Sequence, residues 1–88
     1  MIEIYLYGHL KDKVVEKIPN ANRIMLLDFV EGERFQDCLH RLGLHLNDLG
    51  DCFINGSLAR HDDMIRDLDS LELNPIEKKL SYIQGSFG

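Results

Sequence analysis

Hydrophobic and polar residues alternate along the first seven positions of the chain. The apolar members that share one face of Met1–Tyr7 are Ile2, Ile4 and Leu6. The members of the opposite face are Glu3, Tyr5 and Tyr7. A period of two predicts a half-buried β-strand, which ends at Gly8.

A long polar segment separates this strand from a second apolar run. Residues 9–23 are mostly charged or polar, and Pro19-Asn20 marks a turn. We expect a loop here, with room for one short helical turn. Ile24–Val30 then predicts a second strand, which is apolar on both faces except at Asp28. Such a run suggests that a helix covers one face and that something else contacts the other.

The next segment has the period of an α-helix. Its apolar residues are spaced by three, four and seven positions, and they are Phe35, Cys38, Leu39 and Leu42. The spacing predicts an amphipathic helix of about three turns over residues 34–42. Gly43 suits the position that follows a helix, and Glu31 and Glu33 lie favourably near its positive end. Arg34 is a poor capping residue, so we expect a frayed start or one capped by backbone groups.

The second half of the chain predicts three short strands. These are Cys52–Ile54, Ser57–Ala59 and Ser70–Asn74. Asn55-Gly56 between the first two fits a type I′ hairpin turn, and Pro75 ends the last. The loops between the elements have apolar residues that we expect to be buried, and these are Leu46, Leu49, Met64 and Ile65.

Two strands, one helix and three strands predict an α+β roll, in which a mixed sheet of about five strands is crossed by one helix. The length of 88 residues corresponds to one domain. We expect the body to span residues 1–75 and a C-terminal tail to span residues 76–88. A chain of this size has little room for a deep enclosed active site.

Charge and cysteine content exclude several classes of function. With 15 acidic and 10 basic residues, the formal charge is −5, which disfavours nucleic-acid binding. The sequence has neither a signal peptide nor a membrane-spanning stretch, so we expect a cytoplasmic protein without membrane partners. Cys38 and Cys52 fit neither a disulfide framework nor a zinc site.

Four segments of the chain together match the pattern of a known protein family. They are Tyr5–Lys11 (YLYGHLK), Glu31–Gly43 (EGERFQDCLHRLG), Phe53–Gly56 (FING) and Asp62–Pro75 (DDMIRDLDSLELNP). In these segments the chain resembles the MoaD/ThiS family of small sulfur carriers, which have a ubiquitin-like β-grasp fold. The first segment is similar to the family's first strand and turn, the second to its helix start and the third to its "VNG". The fourth resembles the family's last loop and strand, with Leu68 where the family prefers glycine.

The resemblance implies a protein substrate rather than an enzyme. In that family, an E1-like enzyme uses ATP to adenylate the C-terminal glycine, and sulfur then replaces AMP to give a thiocarboxylate. The carrier role here would fall on Gly88, and a sulfur-accepting synthase subunit is a further possible partner. The exposed sheet face and the tail would dock to the activating enzyme, and the tail residues expected to do so are Pro75, Ile76, Gly85, Ser86 and Phe87. No permanently bound cofactor is implied.

The tail departs from the family pattern, because it is longer and ends in Ser86-Phe87-Gly88 instead of Gly-Gly. Three hypotheses remain open. A dedicated enzyme with a wider cleft could accept Phe87, or the tail could first be trimmed after Gly85. Alternatively, carrier activity is lost and the protein is a non-catalytic interaction module whose tail, including residues 80–83, packs on the body or on a partner. The pathway, whether molybdopterin, thiamine or another, is not specified by the sequence.

Other candidate residues have simpler structural explanations. The four histidines show no metal-ligand spacing, and we expect no metal site. Cys38 fits a core position, and packing is the simpler role for Cys52 as well. The acidic pairs Asp62-Asp63 and Asp67-Asp69 could mimic catalytic carboxylates, but we expect a solvated acidic rim or a contact surface for a basic partner.

Overall fold

The computed structural model describes residues 1–77. Five strands alternate with two short helices and one 3₁₀ turn. In chain order the elements are β1 (Ile2–Leu6), α1 (Leu10–Val14), β2 (Ile24–Leu27), α2 (Phe35–Arg41), the 3₁₀ turn Leu46–Asp48, β3 (Leu49–Ile54), β4 (Ser57–Leu58) and β5 (Ser70–Pro75). The predicted order of two strands, a helix and three strands is therefore confirmed, with α1 as the short helix in the first long loop.

The strands form one mixed sheet in the order β2-β1-β5-β3-β4. Only β1 and β5 run parallel, and the other neighbouring pairs are antiparallel. The last strand therefore lies in the centre, between the first and the third. This arrangement is the α+β roll expected from the sequence.

The core lies between α2 and one face of the sheet. Ile4 of β1 and Leu71 and Leu73 of β5 are fully buried, and so is Cys38 of α2. The alternation in β1 is confirmed, because Ile2, Ile4 and Leu6 are all buried. The apolar spacing of the helix is confirmed as well, since all four of its predicted core positions are buried.

The start of α2 is capped mainly by backbone groups, one of the two outcomes expected. The Phe35 N–H donates to the Asp63 carbonyl at 2.7 Å, and the Gln36 N–H donates to the His61 carbonyl at 3.0 Å. The Asp37 carboxylate accepts a hydrogen bond from the Arg34 N–H at 3.0 Å. Three N–H groups that the helix cannot satisfy itself are thus paired.

Several sequence-based expectations are wrong in detail. β2 ends at Leu27 rather than Val30, and β3 begins at Leu49 rather than Cys52. β4 ends at Leu58 rather than Ala59, and β5 ends at Pro75 rather than Asn74. The helix α2 spans Phe35–Arg41, about two turns, rather than about three turns over residues 34–42. One face of β2 is exposed at Ile24 and Leu26, although the sequence predicts that both faces are covered. Leu46 and Met64 are about half exposed, although Leu49 and Ile65 are buried as expected. Much of a folded protein's surface is apolar, so a hydrophobic residue in a loop is not enough to predict burial.

Candidate functional site

Residues 74–77, hereafter the tail root, are the last part of the chain that the structure describes. The Ile76 N–H donates to the Asp48 carbonyl at 3.0 Å, and the Asn74 side-chain amide donates to the Asp51 carbonyl at 2.8 Å. Pro75 pairs with Leu49 at the end of β5. The body therefore holds the chain at Ile76 by a hydrogen bond.

The 3₁₀ turn that binds Ile76 is itself anchored through Asp48. One carboxylate oxygen of Asp48 accepts the His45 N–H at 2.9 Å, and the other lies 3.1 Å from the Lys13 Nζ. The backbone hydrogen bond from His45 and, next, the Lys13 ammonium lower the pKa of Asp48. The carboxylate is therefore held in its charged form, which favours this anchored geometry.

An open groove runs beside the tail root. It is lined by Gly50, Asp51, Phe53, Asn74, Pro75, Ile76 and Glu77. Phe53 belongs to the face of the sheet that α2 does not cover, because its neighbours Cys52 and Ile54 pack on the core side. The groove therefore joins the tail root to this open face.

A row of register partners crosses all five strands on the open face. In the order of the strands from β2 to β4, it consists of Ile24, Tyr5, Glu72, Phe53 and Leu58. Ile24 is 64% exposed and Leu58 is 60% exposed. Leu26, on the same face of β2, is also exposed. Cross-strand partners share a face, so this mainly apolar row forms a continuous strip. We call it the cross-sheet row.

Two carboxylates interrupt this apolar face. Glu72 stands in the centre of the cross-sheet row, between Tyr5 and Phe53. Glu3 lies beside it on β1, where its carboxylate accepts a 3.4 Å hydrogen bond from the Tyr5 hydroxyl. The charge of Glu3 is the main cause of a raised pKa for Tyr5. The face thus combines exposed apolar area with negative charge.

The acidic loop differs from the solvated rim expected from the sequence. Asp69 is buried, and its two carboxylate oxygens accept hydrogen bonds from the Asn55 side chain and the Arg66 N–H, each at 2.8 Å. Asp63 accepts the Arg60 N–H at 2.8 Å. These carboxylates fix the loop backbone, so neither pair has the arrangement of a catalytic acid and base. Asp62 and Asp67 are exposed, as expected.

Neither cysteine has the environment of a reactive thiol. Burial is the main cause that raises the pKa of Cys38 to about 12, and the charge of Glu33 adds to it. Burial also raises the pKa of Cys52. Across residues 1–77, no group of three or more His, Cys, Asp or Glu side chains is placed to hold a metal ion. No helix in this part of the chain is long and apolar enough to cross a membrane.

The structure places two of the predicted site residues and leaves four outside its range. Pro75 and Ile76 lie at the tail root, next to the groove. Gly85, Ser86, Phe87 and Gly88 lie outside the described residues, as do residues 80–83. The carrier role of Gly88 and the boundary between body and tail therefore stay predictions.

Comparison with solved structures identifies one similar fold. The crystal structure of SAMP1 from Haloferax volcanii matches with a TM-score of 0.64 over 88% of this chain and 96% of that chain, at 20% sequence identity. The chain has a ubiquitin-like β-grasp fold. No family model matches the sequence, and no curated protein matches it significantly. The likeness to SAMP1 therefore establishes the β-grasp fold of this chain.

Two features of this β-grasp surface are not singled out by the sequence. The sequence pattern places Gly50 in a loop, although it lies in β3 against the tail root. Leu58 and Phe53 are predicted in strands, but their common face depends on the register between β3, β4 and β5. One part of the cross-sheet row can be predicted from the sequence, because the alternation of Met1–Tyr7 places Tyr5 on the face opposite the core.

Proposed function

We propose that this chain is a ubiquitin-like carrier protein whose terminal carboxylate, at Gly88, is activated by an ATP-dependent E1-like enzyme. Three things support the proposal: the β-grasp fold, the motif resemblance to MoaD/ThiS carriers, and a tail root that lies beside a sheet face with exposed apolar side chains. The third is the observation on which the proposal mainly depends. A carrier of this kind is a substrate rather than a catalyst.

The chemistry needs little from the body beyond presentation of the tail. A Gly88 carboxylate oxygen attacks the α-phosphorus of ATP, and pyrophosphate leaves. A sulfur donor at the oxidation level of sulfide then attacks the acyl carbon, AMP leaves with the carbon–oxygen bond electrons, and a thiocarboxylate remains. Glycine offers no side chain to obstruct entry into a narrow cleft. Delivery of this sulfur to a synthase in molybdopterin, thiamine or related biosynthesis, in the cytoplasm, completes the proposed role.

The body contributes the docking surface. The exposed side chains of Ile24 and Leu58 stand at the two ends of the cross-sheet row, with Tyr5 and Phe53 between them. Exposed apolar side chains on one sheet face, interrupted here by Glu72, suit a protein–protein interface. The groove that connects Phe53 with Pro75 and Ile76 would bring the docked enzyme next to the tail.

ATP–pyrophosphate exchange with the E1-like enzyme of the same organism tests the proposal. We expect deletion of Gly88 to abolish exchange without changing the melting temperature. Leu58→Arg should raise the KM for the carrier protein by about tenfold or more, because it places a charged side chain in the docking face. Val30→Arg is the matched control, since Val30 is an exposed apolar residue in the loop before α2 and outside the row.

The alternative is a non-catalytic interaction module that uses the same exposed face. The cross-sheet row by itself suits either function, because an apolar row does not require a reactive terminus, whereas the groove that joins the row to the tail root favours the carrier. The two functions differ in their dependence on Gly88. Binding to a partner that survives deletion of Gly88, with no exchange activity in the intact protein, would favour the module.

A further inference from the structure

Gly50 is a glycine whose backbone conformation does not require one. Its φ lies outside the left-handed region that Gly8, Gly32, Gly43 and Gly56 occupy. Its surroundings explain the glycine instead. A Cβ at position 50 would lie 3.1 Å from the Pro75 carbonyl oxygen and 3.6 Å from the Ile76 Cα. A glycine inside a strand often marks such a close approach of another backbone, and here the approaching backbone is the tail root.

The pairing of β3 with β5 is irregular at the same place. Leu49 pairs with Pro75 and Cys52 pairs with Leu73, so β3 has one residue more than β5 over this stretch. Such a β-bulge bends the strand and changes its local direction. The Asn74 amide bonds to the Asp51 carbonyl of this extra stretch at 2.8 Å. A hydrogen bond therefore links the bulge to the tail root.

A second glycine contacts Pro75 from the other side. Gly8, in the turn after β1, has a φ of +59°, and a Cβ there would lie only 2.7 Å from the Pro75 Cγ. Beyond the proline, the Ile76 N–H is held by the Asp48 carbonyl. The end of β5 is thus enclosed by two glycines from different elements and fixed by a hydrogen bond.

We propose that Gly8 and Gly50 form a seat that sets where and in which direction the tail leaves the body, and that Gly50 is a positioning residue for delivery of the C-terminal carboxylate. The delivery part rests on the proposed carrier function. Because the groove joins Pro75 and Ile76 to Phe53 on the open face, an enzyme docked on that face meets the tail at this seat.

Gly50→Ala tests the seat, with Gly32→Ala as the matched control. Gly32 has a φ of +83°, and a Cβ at that position would meet nothing within 4 Å, so its substitution costs stability without contacting the tail root. Hydrogen exchange of the Ile76 amide is the readout that needs no enzyme. We expect Gly50→Ala to raise the Ile76 exchange rate by about tenfold relative to core amides, and Gly32→Ala to leave that ratio unchanged.

Turnover tests the positioning role. In the ATP–pyrophosphate exchange assay, we expect Gly50→Ala to lower kcat by about tenfold with little change in KM. We expect Gly32→Ala to keep the wild-type kcat. Asn74→Ala removes the hydrogen bond to Asp51 without adding bulk, and it should lower kcat by a few-fold. It replaces Gly50→Ala as the test variant if Gly50→Ala does not fold.

The possible failures are distinguishable. If the hydrogen-exchange ratio of the Ile76 amide is unchanged in both Gly50→Ala and Asn74→Ala, the seat is overturned, independently of the enzyme assay. A raised ratio with wild-type kcat overturns the positioning role and leaves the carrier function standing. If the enzyme does not turn over the wild-type protein, the carrier function and the positioning role are both overturned. The hydrogen-exchange ratio of the Ile76 amide still tests whether the seat exists.

Discussion

The side-chain amide of Asn55 donates a 2.8 Å hydrogen bond to the carboxylate of Asp69. The same amide group accepts the Ser70 N–H through its oxygen at 2.9 Å. Asn55 also has a φ of +51° in the turn between β3 and β4, and Gly56 after it has a φ of +84°. The Asn55-Gly56 pair thus forms the tight turn predicted from the sequence and joins it to the buried end of the acidic loop.

Replacement of Asn55 should destabilise the protein in a way that separates these two roles. Asn55→Gly keeps the turn but loses both side-chain hydrogen bonds, so we expect a loss of about 2 kcal/mol in the free energy of unfolding. Asn55→Asp should cost more at pH 7, because it places a second carboxylate against Asp69. Urea denaturation at pH 7 measures both costs, and equal costs of the two substitutions would contradict this account.

Leu68 adopts a backbone conformation that suits glycine. Its φ is +72° and its side chain is 82% exposed, so the leucine has unfavourable backbone geometry and little burial in return. The left-handed region costs a non-glycine residue about 1–2 kcal/mol, and the flexibility of glycine in the unfolded chain offsets about half of the gain. We expect Leu68→Gly to stabilise the protein by about 0.5–1 kcal/mol. Leu68→Ala keeps the Cβ and should change little, so equal stability of the two variants would refute the explanation.

Glu33 and Arg41 form a two-pronged ion pair across α2. The Arg41 Nε and Nη2 donate to the two Glu33 carboxylate oxygens, each at 2.7 Å, and the Glu33 side chain is only 6% exposed. Removing one partner of such a pair leaves the other charge poorly solvated. We expect Glu33→Gln to lower the free energy of unfolding by about 2 kcal/mol. Glu31→Gln, at an exposed neighbouring position, should remain within about 0.5 kcal/mol of wild type in the same denaturation experiment.

Both cysteines should resist thiol reagents in the folded protein. Burial raises the pKa of Cys38 to about 12, and it raises the pKa of Cys52 as well, so little reactive thiolate exists at pH 8. We expect no labelling by a thiol-specific reagent within minutes under native conditions. Two thiols should react after unfolding in urea. Fast labelling of the native protein would show that one of these sites opens readily.

Local patterns in the sequence are sufficient to predict most of the fold. The i, i+3, i+4 spacing from Phe35 predicts α2 because a helix buries one stripe, and the alternation of Met1–Tyr7 predicts β1 because a strand buries one face. Asn55-Gly56 predicts its turn because few other residue pairs tolerate two positive φ values. Each of these signals lies within about ten residues of chain.

The surface features depend on contacts between distant segments, which local patterns do not contain. The burial of Asp69 depends on Asn55, and the glycine at position 50 depends on Pro75 and Ile76. Glu33 is expected from the sequence to favour the start of α2 through its charge, but it lies against Arg41 in the last turn of that helix. The cross-sheet row likewise becomes visible only when the register of all five strands is known.

Intact-mass measurement tests the central claim most directly. Purified full-length protein would be incubated with ATP, a sulfur donor and the E1-like enzyme of the same organism, with a Gly-Gly-terminated carrier as the positive control. We expect a mass gain equal to one oxygen-to-sulfur exchange, mapped to Gly88 and absent when Gly88 is deleted. Loss of terminal residues followed by that gain would show that processing precedes activation and would move the site to the new terminus. An unchanged mass, with the control carrier converted, would contradict the carrier function.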